Sequence, residues 1–92
     1  MAKLKALQIK KALTKVPLWK KKASTISRVF VFKDFPAAIK FVNQVAVPAE
    51  KAWHHPDIDI RWNKVTLVLT THDEGGLTRK DFELAGKFDG FA

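Results

Sequence analysis

The chain has three histidines, His54, His55 and His72, and all of them fall between residues 54 and 72. Imidazole titrates near pH 6.5 when unperturbed, so at neutral pH it can both give and take a proton. Two positioned histidines suit a reaction in which one group is protonated as another is deprotonated. Dehydration and tautomerisation have that form. Adjacent histidines are common by chance. Taken singly, His54 and His55 read as surface or helix-terminal residues and His72 as a strand-end residue. Their joint placement gives them weight: the end of one strand can approach the loop after a long helix, so that the three rings meet at one edge of a sheet.

Other chemistries fit less well. Three histidines with water in the fourth position could hold zinc, but neighbouring residues rarely direct both rings at one ion, and the expectation is no metal. There is no cysteine, which excludes disulfides, thiolate nucleophiles and Cys-ligated zinc. No G-x-S-x-G turn is present, and the two serines, Ser24 and Ser27, lie in the lysine-rich first third. The "EGG" at residues 74–76 is a turn, not a phosphate loop.

The elements that must position these residues are legible in the apolar spacing. Leu4, Leu7, Ile9, Leu13 and Val16 predict an amphipathic helix over residues 3–14, ending before Pro17. "LWKKKASTISRVFVF" predicts two strands joined by a turn near Ala23–Ser24, with Ile26, Arg28, Phe30 and Phe32 on one side. Asp34 is a candidate N-cap and Pro36 falls in the first turn of a helix over 35–51. Pro48 should kink or disturb that helix, and Pro56 disfavours helical geometry at His55. "DIDIRW" alternates, placing Ile58, Ile60 and Trp62 on one face, and "NK" turns the chain into a strand over 65–72. Thr78 and Asp81 resemble a capping box for a last helix with Phe82, Ala85 and Phe88 inward. Tight turns imply antiparallel pairs. The expected architecture is α+β: a four-stranded antiparallel sheet with helices packed on one face. The other face would be solvated or form a subunit interface.

Ninety-two residues, 47% of them apolar and 28% charged, make one globular domain over 1–92. So short a chain has a marginal core and often gains stability by self-association. No apolar run approaches the roughly 20 residues that span a bilayer, and the N-terminus has no signal-peptide pattern. A soluble, cytoplasmic protein without a membrane partner is the expectation. The net charge of +8 is uneven: residues 1–33 hold ten Lys or Arg and no acid, while residues 34–92 hold seven basic and nine acidic residues. Such asymmetry can mark an anionic partner, and its ordinary alternative is a solvated basic helix.

Glu50, then His54-His55-Pro56, Trp62, His72 and Asp81, at these spacings, resemble the signature of the pterin-4a-carbinolamine dehydratases. The resemblance extends over about residues 14–90. It implies a small α+β domain that assembles as a homodimer or homotetramer. It also implies removal of water from 4a-hydroxytetrahydrobiopterin to give quinonoid dihydrobiopterin, in support of pterin recycling, with neither metal nor organic cofactor. Carried over by position, His54 and His72 are the acid–base pair. His55 holds the pterin, Glu50 fixes an imidazole tautomer, and Asp81 is either a site acid or a helix cap. Trp19 is a candidate pocket wall, and Thr70 and Thr71 are candidate substrate hydrogen-bonders. Some mammalian relatives also bind the dimerisation helix of a homeodomain transcription factor. The rival reading is therefore a non-catalytic binding module or transcriptional coactivator acting through the basic N-terminal region. It has no helix-turn-helix or RNA-recognition signature behind it.

Overall fold

The computed structural model describes residues 2–92. In chain order the elements are α1 (Ala6–Leu13), β1 (Lys20–Lys22), β2 (Thr25–Val31), α2 (Phe35–Lys51), β3 (Asp57–Arg61), β4 (Lys64–Leu69), a 3-10 turn (His72–Glu74) and α3 (Arg79–Asp89). The four strands form one antiparallel sheet in the order β1-β2-β4-β3. The α+β architecture expected from the spacing is the one observed.

Period-two alternation decides which face of the sheet is covered. Ile26 and Phe30 on β2 pair with Leu69 and Val65 on β4, and all four are buried. Leu67, between them on β4, pairs with Arg28. Ala38, Phe41, Val45 and Ala49 of α2 and Phe82, Leu84, Ala85 and Phe88 of α3 complete the core on that face. The opposite face keeps Val29 and Val31 exposed. Arg28 points to the covered face, and the core accommodates it through Asp89 near the end of α3. Its Nη1 donates to Asp89 Oδ1 at 2.6 Å, and its guanidinium lies 4.1 Å over the Phe30 ring. Asp89 Oδ1 also accepts the Trp19 indole N–H at 2.8 Å.

Asp34 caps α2 as expected, its carboxylate accepting the Ala37 N–H at 2.9 Å. Pro48 lies inside α2 without ending it. Its missing N–H removes one helical bond, but the chain continues helical to Lys51, and the Ala52 N–H returns to the Pro48 carbonyl at 2.9 Å. α1 is shorter than the apolar spacing suggested and buries no residue fully. The segment before it is extended and fastened by the Leu4 N–H to the Leu77 carbonyl at 2.8 Å. β4 ends at Leu69, three residues short of the expected His72. Beyond it Thr71 bridges to Gly76, and Gly75 takes the left-handed conformation (φ 72°) that closes the intervening turn. Trp62 does not continue β3. It occupies the two-residue β3–β4 connection with φ 51° and is exposed.

Candidate active site

The end of α2 sets the two adjacent histidines. The Trp53 N–H donates to the Glu50 carbonyl at 3.1 Å and the His54 N–H to the Ala49 carbonyl at 3.0 Å. With Trp53 left-handed between them (φ 52°), this is Schellman termination. It satisfies the helix's last carbonyls and reverses the chain. His54 and His55 then leave α2 in a fixed direction, and Pro56 starts the run into β3.

His54 turns toward α3. Its Nε2 lies 2.6 Å from Asp81 Oδ1, and the two side chains are 11% and 0% exposed. Asp81 Oδ2 accepts the Thr71 hydroxyl at 2.8 Å and the Thr78 N–H at 2.9 Å, the second contact being part of the capping box of α3. Thr78 and Thr71 hydroxyls are 2.9 Å apart. Thr71 has one hydroxyl proton and gives it to the carboxylate, so Thr78 donates between them. A carboxylate serving as acceptor on both oxygens makes His54 Nε2 the donor. That leaves Nδ1 as the nitrogen free to work on a bound molecule. Asp81 is thus both helix cap and histidine partner.

His55 turns the other way. Its Nε2 lies 2.7 Å from Glu50 Oε1, and both side chains are more than half exposed. His72 opens the 3-10 turn beyond β4 and is exposed. Thr70 donates its hydroxyl to the Ser24 carbonyl at 2.6 Å, which ties the β4 end to the β1–β2 turn.

These residues face one cleft of about 320 Å³ whose walls include His54, His55, His72, Thr70 and Thr71. That volume is near the low end for small-molecule sites, roughly 300–1,000 Å³. Glu50 stands behind His55 and Asp81 beneath His54. Trp19 is elsewhere: it is buried in the core against Phe30 and is not a wall of the cleft. Three further walls, Trp53, Asp57 and Asp73, carried no signal in the spacing. Lys80 also went unread. Its ammonium donates to the Ala52 carbonyl at 3.3 Å and fastens α3 to the α2 terminus beside His54. A larger groove of about 550 Å³ lies between α1 and α3, and its walls hold no imidazole or hydroxyl.

Comparison with known proteins shows the family. Residues 2–91 match the family model described as pterin 4 alpha carbinolamine dehydratase. A relative from Acidobacterium capsulatum is 54% identical over 97% of each chain, and one from Picosynechococcus is 57% identical over 89% of each. Both are provisionally named pterin-4-alpha-carbinolamine dehydratases. A solved structure from Brucella melitensis, described as a transcriptional coactivator/pterin dehydratase, superposes with a TM-score of 0.94 at 37% identity over 98% of each chain. A pterin dehydratase-like RuBisCO assembly factor of the alpha-carboxysome shares the fold at a TM-score of 0.67 and 20% identity, over 80% of this chain and 86% of its own.

Proposed function

The chain belongs to the pterin-4-alpha-carbinolamine dehydratase family, and from that premise we propose that its histidine cleft dehydrates a 4a-hydroxytetrahydropterin to the quinonoid dihydropterin. The observation that carries this reading is the buried His54–Asp81 pair, 2.6 Å long, on the wall of a cleft that His72 also faces.

The reaction breaks the C4a–O bond, removes the N5 proton and forms the C4a–N5 double bond, releasing water. It needs one base and one acid, both placed on the same ring edge. His54 acts as the base through Nδ1. As its ring becomes an imidazolium, Asp81 stabilises the charge through the Nε2 hydrogen bond, as a buried carboxylate does behind a catalytic histidine. Exposed His72 protonates the departing hydroxyl. His55, braced by Glu50, holds the pterin. The Thr71–Thr78 hydroxyl pair keeps Asp81 from rotating. Thr70 and Thr71 keep their backbone groups near the pterin edge, while their hydroxyls serve Ser24 and Asp81. A dehydration of this kind supports recycling of a pterin cofactor in which a hydroxylation leaves the 4a-hydroxy adduct.

The test is dehydration of a chemically or enzymatically generated 4a-carbinolamine, followed by the absorbance of the quinonoid product. Wild-type protein accelerates it. His54→Ala and His72→Ala each lose roughly 10²–10⁴-fold, the usual contribution of a general acid or base, while circular dichroism stays unchanged. Equal turnover by both variants and wild type would end the acid–base assignment.

A further inference from the structure

We propose that Trp53 is the stacking platform of this site: its indole lies against the flat face of the bound pterin and sets the preference for planar heteroaromatic substrates. This rests on the dehydratase reading of the cleft and adds a residue to it.

The first observation is the position Trp53 occupies. It is the residue after the α2 C-cap, left-handed at φ 52°, between the two hydrogen bonds that end the helix. Glycine is the usual occupant there, because a side chain crowds its own backbone in that conformation. For a bulky residue it is an outlier. Nothing in the helix termination needs an indole.

The second is exposure. Trp53 is 75% exposed, more than any other large hydrophobic residue described. The indole therefore gains little from the core in return for the backbone strain. Trp62, at φ 51° and 67% exposed, shares both features but is no wall of the histidine cleft. What distinguishes Trp53 is its place beside the proton-transfer groups.

The third is the character of the walls. Apart from Trp53 they are imidazoles, threonines and aspartates. These can bind the edge of a pterin through its amide and ring nitrogens, but they offer no broad apolar plane to its face. Trp53 offers one, and its orientation is constrained. Its ring meets His55 edge to face, with centroids 5.3 Å apart and planes at 74°, and His55 is itself held by Glu50. The aromatic wall expected of Trp19 thus falls to Trp53.

The experiment pairs binding of 7,8-dihydropterin by calorimetry with steady-state dehydration of the carbinolamine, for wild type, Trp53→Phe and Trp53→Gly. Loss of one base–aromatic stack weakens binding by roughly 5- to 150-fold. Trp53→Gly should therefore weaken dihydropterin binding and raise KM about 10-fold while kcat stays near wild type. Trp53→Phe should recover most of the loss. Trp53→Gly should also melt above wild type, because glycine relieves the left-handed strain, so lost binding cannot come from unfolding. Wild-type turnover with unchanged dihydropterin affinity in Trp53→Gly would overturn the platform and leave the dehydratase reading standing. A kcat loss with KM unchanged would make Trp53 a device for aiming His54 and would also overturn it. Neither turnover nor dihydropterin binding by wild type would overturn both.

Discussion

A histidine becomes a useful base when something fixes which nitrogen is free. In the role proposed for His54, that something is Asp81, a fully buried carboxylate engaged on both oxygens. Asp81→Asn changes little in volume but puts an amide N–H where an acceptor is needed. It should lower kcat by on the order of 10²–10⁴-fold, as replacement of a histidine-orienting carboxylate does elsewhere. Because it also disturbs the capping box and the Thr71 contact, it should lose about 1–3 kcal/mol of stability. Activity and urea unfolding measured on the same preparation test both halves, and a variant with full kcat would remove Asp81 from the chemistry. The divergence of His54 and His55 has its own consequence. Each Nε2 is spent on a different carboxylate, Asp81 or Glu50, so the adjacent rings do not converge on one point. Turnover is expected to survive prolonged dialysis against EDTA, and restoration of activity by added zinc after its loss would contradict that.

At the scale of elements, α2 is the positioning device, and its two ends can be tested separately. Asp34→Ala removes the N-cap acceptor and should cost about 1 kcal/mol, or a fall of roughly 4–8 °C in Tm for a domain of this size. The histidine end is closed by the Schellman motif, which carries strain at left-handed Trp53. Relief at Trp53 by glycine should raise Tm by a similar few degrees, since a left-handed non-glycine residue costs roughly 1–2 kcal/mol. A scan showing Trp53→Gly melting below wild type would mean the indole packs as a structural residue. These two ends also mark what could be read from the sequence. Asp34 announces itself through Pro36 and the apolar stripe that follows. The strands are plain from Ile26–Phe30 and Val65–Leu69, where inward residues alternate. The cleft was legible only in part. His54, His55 and His72 stood out by number and spacing. The left-handed role of Trp53 did not, because tryptophan carries no turn signal. Thr70 and Thr71 continue the strand-like letters of β4, and only the Thr71–Gly76 bridge and left-handed Gly75 bend that run away from the sheet. Trp19 misled because its indole N–H has a partly buried partner, Asp89, seventy residues away in sequence.

For the whole molecule, Asp89 joins three layers: the Trp19 indole, Arg28 of the central sheet and the end of α3 itself. Truncation to alanine leaves an indole N–H and a partly buried guanidinium without their acceptor. Asp89→Ala should therefore lose about 1–3 kcal/mol, and Asp89→Asn, which keeps a carbonyl oxygen, should lose less. Urea midpoints for the pair decide it, and equal losses would show that charge, not hydrogen bonding, is what Asp89 supplies. Among the described residues no helix is long and apolar enough to cross a membrane. One free margin of the sheet, β1, consists of Lys20, Lys21 and Lys22, all exposed. An unpaired strand edge is a template for accretion of further chains, and a row of ammonium groups repels the approach of its own kind. That protection is ionic. At 1 M salt the screening length shrinks to about 3 Å, so storage in concentrated salt removes the barrier that keeps this margin from seeding precipitation, and dilute buffers preserve it.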